Sequence, residues 1–155
     1  MARISRTWLA TAGALLSIPI VVLLLLFPAR SSAQAPETLT VYATFAKVKY
    51  VDAARGSSDV GDYTIWRLHL RDEGGSILGT EVDDCLWVHL ERQLCNSAFN
   101  IHGRGRLVAE GIWDPHPGAV SVFAVTGGTG DFMGARGTAR FEDGGGSVKV
   151  TFTLM

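Results

Sequence analysis

The sequence predicts an all-β fold, an eight-stranded antiparallel β-barrel preceded by an N-terminal hydrophobic signal or anchor helix. Three observations carry this expectation. Eight segments after residue 36 have strand character, with short connections and no helix of useful length between them. The last of them alternates cleanly, with Val148, Val150, Phe152 and Leu154 facing one way and Lys149, Thr151 and Thr153 the other, the period of a half-buried strand. The 18 glycines are many for a helical protein and suit a turn-rich β protein. Eight antiparallel strands in about 115 residues fit a closed barrel, which leaves no exposed edge, with a two-sheet sandwich as the alternative. At 155 residues the chain is too short for a two-domain dehydrogenase, a kinase or a (β/α)₈ barrel. A net charge of −1 gives no support for a nucleic-acid partner.

The chain begins with an uncharged, nearly all-apolar run, Leu9 to Phe27, preceded by Arg3 and Arg6 and followed by Pro28, Arg30, Ser31 and Ser32. Basic start, apolar run and small-residue segment are the parts of a secretory signal. The run is longer than the roughly 7–15 residues of a signal core and close to the about 20 of a membrane span. Cleavage after Ser31-Ser32-Ala33 is preferred to cleavage before Pro36, and an uncleaved anchor is the other reading. Either way the basic flank stays inside and the rest is exported, so the expected location is secreted or extracytoplasmic. Membrane contact is expected only through residues 9–27, if uncleaved. Residues 1–33 are thus the leader, 34–37 a linker and 38–155 the barrel. Without the leader, 122 residues remain with a net charge of −4.

The strands follow in order. Thr38 to Val51 is rich in Val, Tyr, Phe and Thr. Asp62 to Asp72 alternates, with Trp66, Leu68 and Leu70 on one face and Arg67, His69 and Arg71 on the other. Glu81 to Leu90 and Leu94 to His102 flank a polar turn around Glu91-Arg92. Arg106 to Trp113 stops at Asp114-Pro115-His116-Pro117-Gly118, a strong turn signal. Val120 to Thr126 ends in glycines. Ala135 to Phe141 and Ser147 to Leu154 flank Asp143-Gly144-Gly145-Gly146, a hairpin connection.

Cys85 and Cys95 are the only cysteines, and export makes a disulfide the default. They sit at equal distances from residue 90, so a cross-strand bridge is geometrically plausible. Two free buried thiols are the alternative. Four scattered histidines without a Cys-x-x-Cys give no zinc site, and no metal is expected.

The stretch Val125 to Gly134 imitates a dinucleotide fingerprint, but its glycines, Gly127, Gly130 and Gly134, are out of register for one. Only 21 residues follow, reading as two strands, so no helix is available to hold a pyrophosphate. The segment Ala124 to Phe141, AVTGGTGDFMGARGTARF, instead resembles the signature of the allene oxide cyclase barrel superfamily, which is calycin-like in form. It is most similar to dirigent proteins and their bacterial dirigent-like relatives. A weaker likeness spans residues 38–155, through Val60-Gly61-Asp62, Leu78-Gly79-Thr80, the two cysteines, and Gly103 and Gly105. The resemblance implies an eight-stranded antiparallel barrel, a homo-oligomer (trimer or dimer), and secretion. Here the chain is shorter between strands, and its cysteines lie in a hairpin where the plant dirigent pair links more distant segments.

Members of that superfamily hold an apolar substrate inside the barrel and steer its cyclisation or coupling, without a cofactor of their own. The resemblance therefore implies an exported, cofactor-free barrel that binds a hydrophobic small molecule and directs its cyclisation or stereoselective coupling. An extracytoplasmic lipocalin-like binding barrel and a structural barrel with a filled lumen are the rivals. Asp131 and Arg136 match positions in the glycine signature. Either they act as proton relay and anion holder, or they complete a turn and pair across it. Asp62 is either a pocket acid or a strand-start residue. Tyr63, a ligand-binding candidate, belongs to a polar-rich strand with Arg67, His69 and Arg71. A polar face turned to the lumen is a site and one turned outward is solvated surface, and the exterior is the preferred reading. Trp66, Trp87 and Trp113 either line a cavity for a flat ligand or fill the core. A cavity with Asp131 or Asp62 pointing inward favours catalysis, a dry cavity with no acid favours plain binding, and a lumen packed by Trp and Phe with no buried polar group favours a structural role.

Overall fold

The computed structural model describes residues 37–53 and 60–155. The expected leader, residues 1–33, lies outside the described residues, as do residues 34–36 of the expected linker. Glu37, assigned to that linker from sequence, already pairs with Leu154.

Eight strands run in order: β1 (Glu37–Val51), β2 (Tyr63–Arg71), β3 (Ile77–His89), β4 (Arg92–Ile101), β5 (Gly105–Trp113), β6 (Val120–Gly130), β7 (Gly137–Asp143) and β8 (Val148–Leu154). Each pairs antiparallel with the next, and β8 returns to β1, so the sheet closes into a barrel. No helix occurs among the described residues. Every expected segment is a strand; most bounds shift by one or two residues, and two strands run four residues further than expected. β3 begins at Ile77. β6 continues through its glycines because β5 supplies a ladder for them, pairing Gly127 with Val108 and Gly128 with Leu107.

Side-chain alternation sorts lumen from exterior as the sequence suggests. Val148, Val150, Phe152 and Leu154 are buried, as are Leu68 and Leu70, while Arg67 and His69 are exposed. The polar face of β2 is therefore the outside of the barrel.

The two ends of the barrel differ. One carries the β2–β3, β4–β5 and β6–β7 turns, and there the lumen is packed with Phe99, Leu107, Phe152 and their neighbours, Phe99 meeting Phe152 edge-on at 4.8 Å. The β6–β7 turn folds back on this end and tucks in Phe132, which is only 2% exposed. Hydrogen bonds tighten that turn: Asp131 N–H donates to the Arg104 carbonyl at 2.7 Å, and Ala135 N–H to the Phe132 carbonyl at 3.0 Å. Gly128 is what allows it. A Cβ there would lie 2.4 Å from the Phe132 carbonyl oxygen and 2.8 Å from that of Arg106, closer than backbone can yield. The glycine signature is thus a device for plugging one end.

The other end carries the β3–β4 hairpin and the β5–β6 and β7–β8 connections. Cys85 and Cys95 are direct partners across β3 and β4 and form a disulfide. Both face the lumen, nearly fully buried. The bridge closes a loop of about 11 residues, so replacing both cysteines by serine will cost roughly 3 kcal/mol in a denaturant titration. Intact mass will rise by two hydrogens on reduction. Two alkylatable thiols in denatured, unreduced protein would exclude the bond.

Candidate functional site

Towards the hairpin end the lumen is not filled. A cavity of about 180 Å³ remains, somewhat larger than the engineered cavity of about 150 Å³ known to take benzene. Its walls are mainly apolar: Ala43 and Phe45 of β1, Trp66 and Leu68 of β2, the disulfide, and Trp113, Phe123, Phe141 and Val148 of the later strands. The rings lean on one another, Phe45 with Trp66 at 5.3 Å and Trp113 edge-on to Phe141 at 5.9 Å. Pro115 borders it from the β5–β6 connection and Asp143 from the end of β7.

Into this apolar space β3 delivers two carboxyl groups, Glu81 and Asp83. Residues two apart on a strand share a face, and Cys85, which faces the lumen, sets which face that is. Val82, between the acids, points outward and is exposed. Leu68 stands opposite Glu81, and Ser97 opposite Asp83. The alternation expected of a half-buried strand is inverted here, with acids inside and valine outside.

Glu81 is 2% exposed. Burial lifts its pKa well above the usual carboxylate range, and the neighbouring Asp83 charge pushes the same way. Burial also lifts Asp83, to about 6, against the opposing pull of hydrogen bonding from Ser97 and Glu81. Glu81 Oε2 and Asp83 Oδ1 are buried and have no hydrogen-bond partner. The pair therefore separates into a proton holder, Glu81, and a group that titrates near neutrality, Asp83. Carboxyls whose surroundings push their pKa values apart are suited to acid and base roles. Among the described residues, no cluster of three His, Cys, Asp or Glu side chains could hold a metal ion.

The residues singled out from sequence are scattered. Trp66 and Trp113 do line the cavity. Trp87 does not; its Nε1–H donates to Thr64 Oγ1 at 3.1 Å. Tyr63 lies on the outer face of β2 and is partly exposed. Asp62 is buried but away from the cavity. It accepts from the Tyr50 hydroxyl and, at 2.8 Å, from the Ala53 N–H, and its carbonyl accepts from Trp87 N–H at 2.9 Å. It ties the start of β2 to the end of β1.

Asp131 and Arg136 sit at the plugged end, because β6 carries the chain there from the cavity end. The Asp131 side chain is 59% exposed and pairs with Arg104 at 3.3 Å, not with Arg136. Arg136 donates from Nη1 to the carbonyls of Ala135 at 2.8 Å and Thr126 at 3.2 Å. Arg104 reaches Asp131 from the β4–β5 turn, while Arg136 is turned to backbone, so the expected pairing across the turn does not form. Asp131→Asn is expected to change stability by no more than about 0.2–1 kcal/mol and to leave ligand binding in the lumen unchanged. A loss of binding in a calorimetric titration would return Asp131 to the site.

Sequence reasoning missed Glu81 and Asp83. The available signal was parity: both are in step with Cys85, and a buried disulfide on that strand fixes the face they share.

No protein-family model matches the chain, and no curated protein matches it in sequence. Solved structures match it in shape. A pyocyanin demethylase superposes with a TM-score of 0.67 at 22% identity, over 77% of this chain and 100% of that one. A pterocarpan synthase dirigent protein gives 0.62 at 14% identity, over 78% and 94%. An exo-specific intermolecular Diels-Alderase gives 0.61 at 15% identity, over 77% and 98%.

Proposed function

We propose that this chain, which has the allene oxide cyclase/dirigent-type barrel fold, binds a small and largely apolar molecule in the open half of its lumen and directs its cyclisation or coupling. The observation that carries this reading is the buried pair Glu81 and Asp83 inside an aromatic-walled cavity. A structural barrel would have filled that space, and burying two carboxyls is costly unless they act on what the lumen holds. The names of the similar structures support bond formation in such a lumen, one being a pterocarpan synthase dirigent protein and another a Diels-Alderase.

The chemistry within reach is proton transfer and charge stabilisation. Trp66 and Trp113 hold a flat molecule between apolar walls, which orients its reacting atoms and keeps water away. Glu81, protonated, donates to an atom where negative charge develops. Asp83, ionised, accepts a proton or steadies positive charge. Proton return between the two resets the site. The proposal includes export, supported by the apolar run 9–27 with its basic flank and by the paired cysteines.

Native mass spectrometry of protein purified from its own host tests the reading. The wild type is expected to carry a small-molecule mass that is absent from Ala43→Phe and Ser97→Phe, which fill the cavity and whose folding circular dichroism verifies. Bound mass in none of the three, or equally in all three, would overturn it.

A further inference from the structure

We infer that the molecule this lumen accepts is an organic cation, a one-ring or compact two-ring ammonium or amidinium whose charged end seats between Glu81 and Asp83. The inference rests on the reading above that the cavity is a ligand site, and it specifies which chemistry that site selects.

The first argument is charge. The ionisable groups lining the cavity are Glu81, Asp83 and Asp143, and no lysine, arginine or histidine is among the lining residues. Of the strands paired with the one that carries the acids, β2 presents Trp66 and Leu68 and β4 presents Cys95 and Ser97, and Asp143 of β7 also borders the cavity. Positive charge has to come with the ligand, and an anionic ligand would meet like charge in a poorly screened space.

The second argument is hydrogen bonding. Glu81 Oε2 and Asp83 Oδ1 are both buried acceptors without a donor. A neutral apolar guest would leave both unsatisfied, at about 1–3 kcal/mol each. An ammonium or amidinium carries several N–H donors on one compact group and can serve both oxygens at once.

The walls supply the third argument. The Phe45–Trp66 and Trp113–Phe141 pairs put ring faces and edges around the cavity, and aromatic faces attract cations. Size completes the description. About 180 Å³ admits one ring or a compact bicycle and no long acyl chain.

Seating a cation beside the pair favours its charged form, so binding expels a proton: protonated site plus cation gives the cation complex plus one released proton. The raised pKa values of both groups in the empty barrel agree with this exchange.

Isothermal titration of the oxidised protein near pH 6, in two buffers of different ionisation heat, tests it with benzamidinium, benzyl alcohol and benzoate. Benzamidinium is expected to bind at least about tenfold more tightly than benzyl alcohol, with benzoate weaker still. Its apparent heat should differ between buffers by up to one released proton. Glu81→Gln, and Asp83→Asn as a second variant, are expected to lose that preference and the proton release. Benzoate or benzyl alcohol binding as well as benzamidinium would overturn the cation assignment while leaving the lumen a ligand site. Failure of benzamidinium to bind overturns it as well, and the mass spectrum of the host-purified protein then decides whether the broader reading falls with it.

Discussion

Replacing Glu81 by glutamine is expected to stabilise the barrel at pH 8 and to lessen the fall in its stability between pH 4 and pH 8. In the folded chain both carboxyls of the pair hold their protons more tightly than they would when unfolded, because burial disfavours their charged forms. The folded state therefore binds more protons across this window, and stability falls as pH rises. The contribution is fully present below the ordinary carboxylate range. It is lost as pH climbs through the Asp83 value of about 6 and onward for Glu81. One pKa unit corresponds to about 1.4 kcal/mol, so Asp83 alone should cost the wild type roughly 2–3 kcal/mol on going from pH 4 to pH 8, and Glu81 adds a further loss. Glutamine keeps the shape of Glu81 and cannot ionise. Asp83, whose pKa is raised mainly by burial, remains as the source of the residual pH dependence. Urea unfolding of both proteins at pH 4, 6 and 8 measures this directly. A wild-type midpoint that does not fall with pH would show that the pair is not protonated in the folded barrel.

Phe132→Ala should be strongly destabilising. The side chain is almost wholly buried at the plugged end, with the Arg104 guanidinium over its ring at 4.7 Å. Truncating a buried phenylalanine removes its transfer energy and leaves a void, at about 3–5 kcal/mol. In thermal unfolding that is a fall of about 10 °C or more. Asp131, one residue earlier, should barely register, because its ion pair is exposed. Below the transition Phe132→Ala is expected to keep the ligand properties of wild type, since the cavity lies towards the other end. A loss under 1 kcal/mol would mean that the turn does not seal the barrel.

The contrast between these two neighbours shows what the sequence could and could not reveal. Motif similarity pointed to residues 124–141 and correctly implied the barrel, yet that segment serves the backbone: Gly128 admits the turn, Phe132 fills the end, and Asp131 faces solvent. Strand positions were legible because most strands obey alternation, as β2 and β8 do. The acid pair was not, because alternation was the very rule broken there. Glu81-Val82-Asp83-Asp84 reads as a polar outer edge with one apolar residue, and only the register set by Cys85 and Cys95 turns the acids inward. Tryptophans were ambiguous for another reason. Trp66, Trp87 and Trp113 have the same residue type and similar strand context, and only the position of each along the barrel decides that two border the cavity while Trp87 spends its N–H on Thr64.

Sealing one end by Phe132 has a kinetic corollary. With that end closed and the cavity lying towards the other, a guest of the kind proposed would enter and leave by the hairpin end. Nothing longer than the hollow half can be threaded through. If reaction inside makes a larger or stiffer molecule, departure will be slower than arrival, and a burst of product in the first turnover, followed by a slower steady rate, is the expected time course.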